Sequence, residues 1–201
     1  MVCHKALEAL VSVVITGKVG FSAVTPMSST MNVTAGDTMT LSFLIDKSAI
    51  VRNVVGQGIV MDGIAPFPVC TEDFKLSFSS GLRVYLGPPP VALDGTVGDF
   101  YFSLMKGRPV NDGAYFSTSP DKGSEGVPLL LHGAPEKEVF TGVFELRYKR
   151  HSIPSIEFPA AYGTYGQKGL LWSELKLMRD WMGNEIMSAH LETMTLTPAK
   201  A

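Results

Sequence analysis

Glu145 and Arg147 are the residues of this chain whose types and spacing best suit chemistry. They stand two apart in a stretch of alternating polarity, so they share one face of a strand. Inside a barrel, a carboxylate beside a guanidinium could orient a ligand carbonyl or pass a proton. Facing water, the same pair is an ordinary surface ion pair worth less than about 1 kcal/mol. Alternating strands usually keep one wet face, which favours the second reading. Asp99, Tyr101 and Ser103 form a similar polar face beside Phe100, Phe102 and Leu104, with the same two readings. Glu145, Arg147, Asp99 and Tyr101 are therefore the candidate catalytic residues.

Other constellations carry less. Gly163-Thr164-Tyr165-Gly166-Gln167-Lys168-Gly169 precedes a segment with helical spacing. A loop at a helix N-terminus can cradle an anion, but the glycine spacing fits neither a P-loop nor a dinucleotide fingerprint. A plain connector is the better reading. His4, His132, His151 and His190 are scattered, with no local metal-ligand spacing and no Cys-x-x-Cys. No Gly-x-Ser-x-Gly elbow is present, and nothing around Cys70 marks a nucleophile. The expectation is no cofactor and no metal. Cys3 and Cys70 do not make a disulfide framework, and two reduced thiols are expected.

The elements that must position these residues are mostly strands. Met39, Leu41, Phe43 and Ile45 alternate with polar neighbours, as do Phe74, Leu76 and Phe78. Strands are expected near 31–34, 38–46, 49–55, 58–62, 72–79, 82–86, 100–104, 114–117, 127–131, 138–148, 153–158 and 190–197. Val11 to Thr16 and Val19 to Val24 read as a hairpin around Gly17-Lys18. Gly63 to Val69, with Pro66 and Pro68, reads as a connection excluded from a central strand. Asn111-Asp112-Gly113 reads as a turn, and Ser119 to Gly126 as a mobile loop. Leu171, Leu175, Met178 and Met182 follow helical spacing and predict an amphipathic helix over about 170–182, stopped by Gly183. A short helix is also expected within residues 1–10.

These elements define a single mostly β domain over residues 1–201: an antiparallel β-barrel or β-sandwich of about ten short strands with one C-terminal helix packed on it. With 17 basic and 19 acidic residues the chain has no electrostatic footprint for nucleic acid. No apolar run is long enough for a membrane-spanning helix. Charged residues make up only 18% of the chain, so some apolar surface is expected to face a ligand or another subunit. The cysteines suggest the cytoplasm; secretion through a weak N-terminal signal in residues 1–23 is the minority alternative.

Two functions follow. The first is binding of a small apolar molecule in the barrel or sandwich interior, extending to cyclase or isomerase chemistry by shape and a few polar groups. The second is a non-catalytic structural or interaction module that self-associates: a subunit of an assembly, an adhesin or a virion component.

Overall fold

Thr38–Asp46 (β2) shows how the chain builds its wall. Met39, Leu41, Phe43 and Ile45 are buried, whereas Thr38 and Thr40 stay exposed. The computed structural model describes residues 6–23, 33–49, 63–87, 101–108, 111–118, 129–131, 140–178 and 185–200. A short 3-10 turn at Leu7–Ala9 leads into β1 (Leu10–Ser22). After β2 come β3 (Ile64–Phe78), β4 (Arg83–Leu86), β5 (Tyr101–Arg108) and β6 (Asn111–Ser117). β7 (Leu129–Leu131), β8 (Thr141–Lys149), β9 (Gly163–Tyr165), β10 (Leu170–Met178) and β11 (Glu185–Pro198) complete the order.

Pairing runs β1–β2–β3–β5–β6–β8–β10–β11 and returns to β1, antiparallel at every step. The result is a closed eight-strand barrel with extra strands, its wall following chain order in an up-and-down arrangement. β4 leaves β3 as a side ribbon carrying β7, and β9 pairs with the end of β11. Of the two architectures expected, the barrel is the one formed.

Register sorts the side chains. Val13 lies opposite both Phe43 and Leu196, Phe116 opposite both Phe102 and Phe144, and Leu175 opposite both Phe144 and Ala189. All of these are buried and line the lumen. Outward positions carry hydroxyls and ion pairs instead, such as Thr16 with Thr193 and Lys176 with Glu174. This sorting is the reverse of a membrane-spanning barrel, whose outer face is apolar. Among the described residues no helix is long and apolar enough to cross a membrane.

Several expectations are corrected. The segment expected as a helix over 170–182 is strand β10 as far as Met178; Met182 and Gly183 lie outside the described residues. Leu175 and Leu177 are buried while Leu171 is exposed, so the helical spacing mixes residues from both faces. The expected N-terminal hairpin is one continuous strand, β1. Gly17 stands in that strand opposite a bulge at Glu192 of β11, not in a turn: a Cβ there would lie 2.3 Å from the His190 carbonyl oxygen. Because β1 is wall, removing Leu10–Ser22 as a leader would open the barrel.

Pro66 and Pro68 lie inside β3. Residues 64–68 pair with β5, whereas the described pairing with β2 begins at Val69. The two prolines, two apart, direct their donor-less nitrogens to the same side, where they interrupt no described ladder. Asn111-Asp112-Gly113 opens strand β6 instead of turning. Gly113 allows close strand approach, since a Cβ would sit 2.4 Å from the Leu146 carbonyl oxygen. Neither Val33-Thr34 nor Ile153 to Phe158 forms a strand. The strand expected near 49–55, apart from Ala49, the strand near 58–62 and the loop at Ser119 to Gly126 lie outside the described residues. Cys70 is fully buried and disulfide-bonded, not a free thiol. The chain's other cysteine is Cys3; 66 intervening residues give no sequence signal of proximity, which is why pairing was not expected.

Candidate functional site

The lumen is built by alternation, with apolar residues at most inward positions of the wall strands. Phe43, Phe74, Phe102, Phe116 and Phe144 meet across its middle. Phe116 stacks on Phe144 at 5.0 Å and on Phe74 at 5.8 Å, and Phe43 meets Phe102 edge-on at 5.5 Å. Such offset and edge-to-face contacts add to the stabilisation from burial. An eight-strand barrel has an interior about wide enough for its own side chains or one small ligand.

One end is covered by the connection from β8 to β10, residues 150–169. Ile153 and Ala161 are fully buried in it, and Phe158 meets Phe67 of β3 at 5.4 Å. Asp112 fastens this cap. It is buried on the inward face of β6; its Oδ2 accepts the Ile153 N–H and its Oδ1 the Gly107 N–H, both at 2.8 Å. The Tyr148 hydroxyl donates to the Tyr165 carbonyl oxygen at 3.1 Å, and the Tyr165 hydroxyl donates to that of Ala161 at 2.7 Å. Burial pushes the Tyr148 phenol up to about 12, with Tyr165 adding to it. Lys47 donates to the Tyr162 hydroxyl, and Lys106 to the Pro154 carbonyl oxygen.

Toward the other end the lining changes character. Met39, Met187 and Ala189 face inward there beside the buried Phe78, which lies opposite Met39, while Leu129 and Leu177 fill the space next to Gly142. Methionine fills irregular space and adapts to what it meets. Asp112 is the one carboxylate among the described inward positions, and both its oxygens are already engaged, Oδ2 by the cap and Oδ1 by the Gly107 N–H of β5.

The candidate catalytic residues fall elsewhere. Glu145 and Arg147 point outward from β8 and pair with each other, Nε to Oε1 at 2.7 Å. The hydrogen bond and charge of Glu145 raise the Arg147 pKa above its usual value. Tyr101 and Ser103 alternate with the buried Phe102 and Leu104 and so also face outward. Asp99 lies outside the described residues, so the expected Asp99–Tyr101 face is placed only in part. His151 and His190 are exposed and far apart in the fold; His4 and His132 are outside the described residues. No group of three or more His, Cys, Asp or Glu able to hold a metal occurs among the described residues. The glycine-rich 163–169 stretch leads into β10, so no helix N-terminus stands behind it.

Asp112, Tyr148 and Tyr165 were missed as a group. Asn-Asp-Gly has the composition of a turn, which hid the available signal: Asp112, Ala114 and Phe116 alternate, placing a carboxylate on an apolar face. Compared with protein families, curated proteins and solved structures, the chain matches none.

Proposed function

We propose that the protein binds a small apolar molecule in the barrel lumen, toward the end lined by Met39, Met187 and Ala189. One observation carries this reading: the described inward face is mostly apolar, and its polar members Asp112 and Thr118 are already engaged by backbone donors, Ser173 being the remaining polar inward side chain. Desolvating an apolar guest there contributes roughly 25 cal/mol per Å² of buried surface, and little polar surface must lose water in exchange. Catalysis of the cyclase or isomerase type is an extension of the same reading, through confinement of a flexible substrate. Chemistry carried by Glu145, Arg147 and Tyr101 would take place on the outer wall.

The five-phenylalanine middle supports a second reading, a packed barrel acting as a non-catalytic interaction module. Native mass spectrometry of protein purified without detergent, combined with light scattering, separates the two. A monomer or dimer carrying an apolar molecule of fixed mass supports binding. A ligand-free ordered assembly, with no uptake of added apolar probes, removes it. Localisation is also proposed. The cysteine count alone suggested the cytoplasm, but the Cys70 disulfide supports an oxidising compartment.

A further inference from the structure

We propose that the corner where β8 ends and β10 begins docks the protein peripherally on a negatively charged membrane surface. The corner is held together by backbone: the Lys149 N–H donates to the Gly169 carbonyl oxygen at 2.7 Å, and Trp172 lies opposite Arg147 in the strand pair. A register irregularity between Leu170 and Trp172 breaks the alternation of β10. Both Leu171 and Trp172 consequently face water, at 50% and 51% exposure. Two adjacent large apolar side chains left in solvent need a reason, because an ordinary strand would have turned one of them inward.

Their surroundings point to an anionic, partly apolar partner. Lys149, Arg150 and Lys168 are exposed around the pair. Nearby acids are already engaged, Glu145 by Arg147 and Glu174 by Lys176. The positive charge at the corner is thus locally uncompensated, although the whole chain carries a formal net charge of -2. Attraction to an anionic surface would therefore orient the molecule corner-first. Tryptophan settles at the headgroup level with leucine beside it in the acyl boundary, while lysine and arginine meet acidic headgroups. A single-stranded nucleic acid would call for a row of stacking rings; here one ring stands beside an aliphatic chain. This inference is independent of lumen binding.

The test is co-sedimentation of the full chain with phosphatidylcholine vesicles, with and without phosphatidylserine. Binding should require phosphatidylserine and weaken as salt is raised. The combined variant Lys149→Glu, Arg150→Glu and Lys168→Glu should lower the partition coefficient by about a hundredfold. Leu171→Ser with Trp172→Ser should lower it by about tenfold. As a measurement that avoids a charge-reversed chain, the Trp172 part of the emission, taken by difference from Trp172→Phe, should be quenched by brominated acyl chains. The proposal is overturned by no partition into phosphatidylserine vesicles, by unchanged binding in both variants, by absent quenching, or by equal affinity for single-stranded DNA.

Discussion

Asp112 shows how much one side chain can fasten in this protein. Its carboxylate holds two backbone N–H groups from separate segments, one in the β5–β6 hairpin and one in the cap. Asp112→Ala leaves both donors without that acceptor, and each such loss costs about 1–3 kcal/mol. Urea unfolding should report a drop of about 3 kcal/mol or more, with Asp112→Asn intermediate because the amide keeps one acceptor oxygen. The Glu145–Arg147 pair should behave oppositely. Exposed as it is, alanine at either position should shift stability by less than about 1 kcal/mol; a larger loss in the same titration would mean the pair is not solvated.

Among the described residues, Tyr148 and Asp37 contribute to the pH response with opposite signs. The Tyr148 phenol is pushed up to about 12 from 10.0, so the folded state favours its neutral form. The associated stability is present below pH 10 and is lost as pH rises through about 12. Tyr148→Phe should flatten alkaline unfolding over that window. Asp37 has the opposite sign. The Thr34 backbone N–H and the Ser79 hydroxyl hold it below the usual carboxylate value, so its contribution exists above 3.8 and fades as pH falls through the lower folded value.

Among the elements, the cleanest to read in sequence were those with one buried and one wet face. The alternations of β2, β8 and β11 are visible because nearly every inward apolar residue is followed by an outward polar one, Leu44 after Phe43 being the exception in β2. β10 was misread because Leu171, Leu175 and Met178 happen to fall at helical spacing, while the shorter Leu175–Leu177 alternation with Glu174 and Lys176 carries the fold. These two patterns predict different energetics. Leu175→Ala should cost about 2–5 kcal/mol, and Leu171→Ala should stay within about 0.5 kcal/mol. An amphipathic helix with both on its buried stripe would give similar losses. β3 was cut short by Pro66 and Pro68, because proline excludes a paired edge, not a strand, and which edge is paired depends on distant segments. Asp112 was obscured for a similar reason: its turn-like neighbours are local, and the donors it holds come from other parts of the chain.

At the scale of the molecule, closure is the property no local pattern could show. It requires β1 to meet β11 across nearly the whole chain, and register across that seam is written in both strands together. The buried Cys70 disulfide is likewise a long-range fact. Unfolded without reductant, the chain should show no free thiol by a colorimetric assay; two titrating thiols would contradict the disulfide. The barrel presents hydroxyls and ion pairs outside and apolar side chains within. That inward concentration of apolar residues accounts for a low-charge composition without requiring a large greasy exterior.

Methionine-methyl NMR during titration with a small apolar guest tests lumen binding most directly. The methyls of Met39 and Met187 should shift saturably, while that of Met178, at the outer end of β10, stays in place. Shifts confined to Met178 and other wall residues, or no saturable shift at all, would contradict a guest inside the barrel.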